Sequence, residues 1–218
     1  MSRFVEMTNA LYIFLALAIS YVLGRYHARL RTSTFQNRGE ALVSRAIQAN
    51  FKSPDFHLLN HITLQLKDGT TQIDHILVSR FGVFVIETKD YKGWIFANAK
   101  QGTWTQVLFK CKFKFQNPIF QNFRHMEAVK NLLDFLPAGS VHSVVVFTGQ
   151  AKFKTEKPPE VFTVSQLMQH LRSYNEEVMS FNRMQFCVGR LETARLAITG
   201  KTDLEHLKSL EQRHGRKN

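Results

Sequence analysis

Two spacings of apolar residues divide the chain. In RGEALVSRAIQANF, Arg38 to Phe51, the positions Glu40, Val43, Ile47 and Phe51 fall on one stripe of an amphipathic helix. HLLNHITLQLKDGTTQIDHILVS then reads as two strands around the turn signal KDG, and FGVFVIETK as a near-continuous apolar strand of the kind buried on both faces of a sheet. Two further short strands, IFANA and TWTQVLFKCKFKF, follow. NPIFQNFRHMEAVKNLLDFL opens a second helix, with Asn117 as N-cap and Pro118 at the first helical position. VHSVVVFTG is another buried strand and EVFTV a shorter one. From Ser165 the pattern is mainly helical, with Thr202 placed to cap a final helix. Helix, antiparallel strands, helix, strand, strand, helices is the order of a mixed α/β (α+β) domain.

The N-terminus departs from this pattern. ALYIFLALAISYVLG, Ala10 to Gly24, carries no charge, and Met7 to Asn9 extend it to about the minimum length for a bilayer crossing. Arg25, His27, Arg29 and Arg31 follow it, whereas Arg3 and Glu6 precede it, so the positive-inside rule puts the C-terminal domain in the cytoplasm. A cleaved signal peptide, with Ala18 and Ser20 as the small-residue pair, and a buried core helix are the rival readings. The cationic cluster lies on the wrong side for export. The expected organisation is a transmembrane anchor over 1–24, a polar linker over 25–35, a core over 36–150, and strand and helices with a basic tail over 151–218. The localisation that follows is a single pass through an inner or plasma membrane.

Charge changes the picture further. Lys and Arg number 29 against 17 Asp and Glu, a net charge of +12. Such a field attracts polyanions, nucleic acid or acidic lipid alike. Cys111 and Cys187, the two cysteines, have no metal-ligand spacing and read as buried thiols in a reducing compartment.

The strand ends carry the chemistry. Glu87 and Lys89 share a face, with Thr88 opposite. A turn around Ser79 to Gly82 brings Asp74 opposite Thr88 or Glu87, for a loop of three or four residues. Two converging carboxylates repel unless a cation lies between them. Asp74, Glu87 and the Thr88 carbonyl would make a hard-oxygen site suited to Mg²⁺ or Mn²⁺. Glu40 sits on the core-facing stripe of its helix, where lone acids seldom go; a helix-dipole or capping role is the plainer reading.

IDHILVSRFGVFVIETK with KGWI, RGEALV before it and QNPIFQNFRHMEAV after it resemble the nuclease-related domain (NERD) family, within the PD-(D/E)xK, restriction-endonuclease-like superfamily. The resemblance spans about residues 36–150 and implies a mixed central sheet flanked by helices. It also implies Glu40 as the helix-borne acid, Asp74 and Glu87 as metal ligands, Lys89 as the motif lysine and Gln121 bordering the site. Many relatives carry a C-terminal zinc ribbon; two cysteines cannot supply a Cys₄ ribbon. The implied activity is metal-assisted hydrolysis of nucleic-acid phosphodiester bonds, with DNA the expected substrate.

Lys110, Lys112 and Lys114 share a face of one strand and are set to track a phosphate backbone, or equally to guard an edge strand against aggregation. His125 lies one turn after Gln121 on the same helical face. Trp94 and Trp104 read as core, with base stacking the lesser option. His57, His61 and His75 form no ligand set. A nucleic-acid-binding module without activity, or a scaffold whose basic face meets anionic lipid, are the alternatives to a nuclease.

Overall fold

The computed structural model describes residues 37–196 and the isolated Ser20. The expected membrane helix, its linker and the helix after Thr202 lie outside the described residues. Among the described residues no helix is long and apolar enough to cross a membrane.

Helix α1 (Arg38–Asn50) leads into the long hairpin of β1 (Phe56–Leu66) and β2 (Gly69–Ser79), and β3 (Gly82–Lys89) adds to it. Next come β4 (Gly93–Phe96), β5 (Thr103–Leu108), β6 (Cys111–Gln116) and helix α2 (Pro118–Leu132). The chain continues through β7 (Val141–Phe147), β8 (Ala151–Phe153), β9 (Val161–Thr163), α3 (Val164–Ser173) and α4 (Phe181–Ala194). Two mixed sheets result, a five-stranded one ordered β1-β2-β3-β7-β9 and a four-stranded one ordered β6-β5-β4-β8. In the larger sheet β1, β2 and β3 are antiparallel, while β3, β7 and β9 run parallel. The mixed α+β class read from the sequence is the class observed.

The apolar run of β3 has the role its composition demands. Every residue from Gly82 to Thr88 is buried, because helices cover both faces of the large sheet. Val83 and Val85 join a core with Met126 and Val129 of α2 and Met184 and Leu191 of α4. Phe84 and Ile86 join a second core with Val43 and Ile47 of α1 and Leu167 and Leu171 of α3. A third core, built on Trp104, Ile95, Phe147 and Val161, fastens the two sheets together.

Several expectations need correction. The run Thr103–Phe115 is not one strand but the β5–β6 hairpin, paired from Thr103↔Gln116 to Leu108↔Cys111. Phe109, at φ 55°, takes the left-handed conformation at its tip. No Gly, Asn, Asp or Pro marks that turn, so the apolar–polar alternation reads straight through it. Lys110 therefore sits in the turn, and only Lys112 and Lys114 share a strand face. Cys111 is exposed rather than buried, since the hairpin tip extends past the core. Trp94 is 49% exposed, because it stands on the open side of the small sheet, whereas Trp104 on the other side is core as expected. The three-residue strand β8 is too short to carry a readable pattern. The β2–β3 turn is also tighter than expected: Ser79 pairs with Gly82, leaving a loop of Arg80 and Phe81.

Candidate active site

The β1–β2 ladder lapses at one place. Asn60 pairs with His75 and Ile62 with Ile73, leaving His61 and Asp74 outside the pairing, and His61 adopts φ 54°. Ile73 and Ile76, three residues apart, consequently enter the same core, which strict alternation would forbid. The register is the same on both sides of the lapse, so no residue is inserted, but the local twist at His61 re-aims a side chain. Here the side chain is Asp74, and its Oδ2 accepts the backbone N–H of Thr88 at 2.7 Å. Extending the β2–β3 register beyond His75↔Ile86 sets Asp74 level with Glu87.

Glu87 and Lys89 project from the C-terminal end of β3 toward α2. Lys89 Nζ donates to Glu87 Oε1 at 2.6 Å and to Gln121 Oε1 at 3.0 Å. His125, one turn further along α2, stands with Nε2 3.2 Å from Glu87 Oε2, an ion-pair distance without good hydrogen-bond alignment. Its Nδ1 meets Thr71 Oγ1 at 2.7 Å. His125, which its place on the Gln121 face of the helix marked as able to reach the site and as a candidate contact to nucleic acid, does reach it, as a buried neighbour of Glu87. Thr71, from the far side of the ladder lapse, had no sequence signal.

Helix α2 is held in place by Asn122. This fully buried side chain sets its Nδ2 2.9 Å from the Val85 carbonyl, 3.0 Å from that of Val144 and 2.8 Å from Ser143 Oγ. It bonds to the backbone of the two central strands at once, so Gln121 and His125 are fixed relative to β3. An Asn beside a Gln on a helix carries no distinctive pattern, and nothing along the chain singles it out.

Glu40 arrives from α1. Asn37 caps that helix, accepting the Glu40 N–H on Oδ1 at 3.0 Å and donating to Glu40 Oε1 from its own amide. The helix can come this close because residue 39 is glycine. A Cβ there would lie 2.5 Å from Thr148 Oγ1 and 2.8 Å from Asp90 Cβ. Beside it opens a cleft of about 400 Å³, with Arg38, Arg45 and Lys92 among its lining residues.

The three acids feel one another. Burial, with Glu87 nearby, raises the Glu40 carboxyl to about 7. Asp74 is pushed well above the usual carboxylate range by desolvation, then by Glu87 and Glu40. Burial also acts to raise Glu87, but Lys89 and His125 outweigh it and hold this carboxyl low. Burial would lower the Lys89 ammonium; Glu87 and Asp74 reverse that and raise it. One carboxylate is thus held ionised by Lys89 and His125, while for Glu40 and Asp74 burial outweighs what Lys89 and their hydrogen-bond donors supply.

That donor set, oxygen only and short of positive charge, fits a small hard cation in its chemistry. Among the described residues, however, no group of three or more His, Cys, Asp or Glu side chains is gathered as a ready-made metal cage. The oxygens are turned to protein donors instead: Asp74 to the Thr88 N–H, Glu87 to Lys89, and Glu40 to Asn37. The structure thus brings Glu40, Asp74, Glu87, Thr88, Lys89 and Gln121 into one neighbourhood, with Thr88 entering through its N–H. Lys112 and Lys114 lie apart, on the small sheet.

The model of the nuclease-related domain matches residues 36–148, about half of the 218 residues. The chain belongs to the nuclease-related domain family. The resemblance carried by the RGEALV, IDHILVSRFGVFVIETK and NPIFQ segments is thereby shown, and the PD-(D/E)xK superfamily is consistent with it. An uncharacterised protein of Bacillus anthracis is 42% identical over 97 residues, which are 44% of this chain and 45% of that protein. The match thus spans under half the length of that curated relative. No solved structure matches the chain. For this NERD chain the coarse functional class is nuclease-related.

Proposed function

We propose that this NERD protein hydrolyses nucleic-acid phosphodiester bonds with a divalent cation, Mg²⁺ or Mn²⁺, at the site around Glu87 and Lys89. The observation that carries the reading is the buried Lys89 ammonium held between Glu87 and Gln121, beside two acids whose ionisation burial and the neighbouring carboxylates disfavour. A structural ion pair has no need of two further carboxylates buried beside it at a cost to their ionised forms.

Asp74 and Glu87, with the Thr88 carbonyl and Glu40, are the groups that would hold the metal. When bound, the metal would supply Lewis acidity toward a phosphate oxygen and a more acidic water. Lys89, raised rather than lowered in pKa, keeps its proton at Nζ and offers fixed positive charge where negative charge grows on the phosphoryl oxygens. Gln121 fixes the direction of that ammonium. His125 backs Glu87 and restrains its carboxylate. Arg38, Arg45 and Lys92 in the adjoining cleft draw the polyanion toward the acids. Water is the nucleophile, and no covalent enzyme intermediate is required. Residues 1–24 complete the proposal as a single-pass anchor, with the domain on the cytoplasmic side and DNA the substrate within reach.

A second reading, a binder that does not cleave, draws on the engagement of the acids with protein donors, Asp74 with the Thr88 N–H and Glu40 with Asn37. One assay separates the two. The full chain is incubated with supercoiled plasmid, wild type against Lys89→Ala, in Mg²⁺ and in chelator. Nicking that requires the metal and falls at least about 100-fold in the variant is expected, the scale of losing one preorganised charge at a transition state. Circular dichroism checks folding, since the variant leaves buried Glu87 short of a partner. Cleavage indifferent to Lys89 overturns the assignment, and binding without cleavage in the wild type establishes the second reading.

A further inference from the structure

The small sheet has one face in the third core and one face open, and the open face has an unusual composition. Register fixes which residues share it: Trp94 lies opposite Val107 and Lys152, and Val107 opposite Lys112. Phe96 lies opposite Thr105, and Thr105 opposite Lys114. Across the strand order β6-β5-β4-β8 the face therefore runs from two lysines, past small side chains, to two aromatic rings and then to Lys152.

Trp94 is 49% exposed and Phe96 40%. Large rings on a solvent face are ordinarily turned inward or covered. Lys154, just past β8, sets its Nζ 4.6 Å above one face of the Trp94 ring. No acid occurs in β4, β5, β6 or β8. Edge protection explains Lys112 and Lys114 on β6 but not the rings on β4, an inner strand of this sheet.

The geometry points to a binding platform for single-stranded nucleic acid on this open face, with bases stacked on Trp94 and Phe96 and the backbone flanked by Lys112, Lys114, Lys152 and Lys154. Neighbouring positions on one face of a strand are about 7 Å apart, close enough for consecutive unpaired bases to settle on the two rings. Stacking needs a free base face, so a duplex, whose bases already stack on each other, gains only the lysine contacts. Positive charge on both flanks with none opposing it complements a polyanion. A fluid anionic bilayer would meet the same charges. The restricted aromatic pair set between lysines, instead of a broad apolar surface, favours the polynucleotide. The inference rests on the chain acting on nucleic acid but not on its cleaving it.

The test is made with the full chain carrying Lys89→Ala, in chelator, so that cleavage does not enter. Labelled 15-mers of oligothymidylate and oligouridylate, a duplex of equal length, and vesicles of phosphatidylserine with phosphatidylcholine are titrated separately. Single strands are expected to bind at least about tenfold more tightly than duplex, and Trp94→Ala with Phe96→Ala to remove that preference. Trp94→Phe restores it, which excludes misfolding as the cause. Each of Lys112→Gln and Lys152→Gln is expected to flatten the slope of log affinity against log salt by about 0.7. Equal affinity for single strand and duplex, ring variants that bind as the parent does, or association with vesicles alone each overturn the platform. If plasmid nicking fails while this binding holds, the reading of catalysis falls and the platform stands; if nicking occurs and the ring variants have no effect, catalysis stands and the platform falls.

Discussion

Glu40 shows what an acid in such a place does to the protein that carries it. Its carboxyl titrates at about 7 in the fold against 4.5 ordinarily, so the folded chain binds a proton there that the unfolded chain has already lost. Stability from this group is therefore complete below about 4.5 and disappears as pH rises through about 7. Glu40→Gln, measured by urea denaturation in chelator, is expected to raise stability by about 2 kcal/mol at pH 8 and by almost nothing at pH 4. The same substitution is expected to abolish nicking. A residue whose removal helps the fold and harms the reaction is retained for the reaction.

At the scale of elements, α2 matters more to the site than its length implies. It contributes Gln121 and His125, and Asn122 between them ties it to β3 and β7. Asn122→Ala is expected to lower stability by about 2–3 kcal/mol in chemical denaturation, the range for breaking a buried polar network. Asn117 and Pro118 announced the start of this helix, and the one-turn spacing announced that Gln121 and His125 share a face. The apolar run of β3 announced burial on both sides. The direction of Asp74 was not legible, because it depends on a lapse in pairing with β1 that alternation within β2 does not reveal. The β5–β6 turn was hidden for a related reason: Phe109 takes a left-handed conformation that its residue type does not advertise. Asn122 was hidden as well, since its partners are backbone groups distant in sequence.

In the whole molecule the two sheets share a core. Trp104, at 1% exposure, packs with Val145 and Val161 of the large sheet and Ile95 of the small one. A unit joined in this way should melt together. Urea unfolding followed by far-ultraviolet circular dichroism and by tryptophan fluorescence in a Trp94→Phe background, where Trp104 alone reports, is expected to give coincident transitions. An earlier fluorescence change would mean that the small sheet separates first. Rigid attachment also has a functional side: the open face of the small sheet keeps a fixed bearing toward the acids at the end of β3.

The lapse in the β1–β2 ladder level with His61 and Asp74 bears on how such a chain tolerates change over descent. Because the β2–β3 register sets Asp74 level with Glu87, the side taken by Asp74 is counted from the β2–β3 turn and not from the start of β1. A residue gained or lost in the outer half of the β1–β2 hairpin shifts only that half. One residue gained between Asp74 and Glu87 would rotate the acid to the opposite face while leaving composition and hydrophobicity almost unaltered. Length is therefore free to drift on one side of the joint and is fixed on the other.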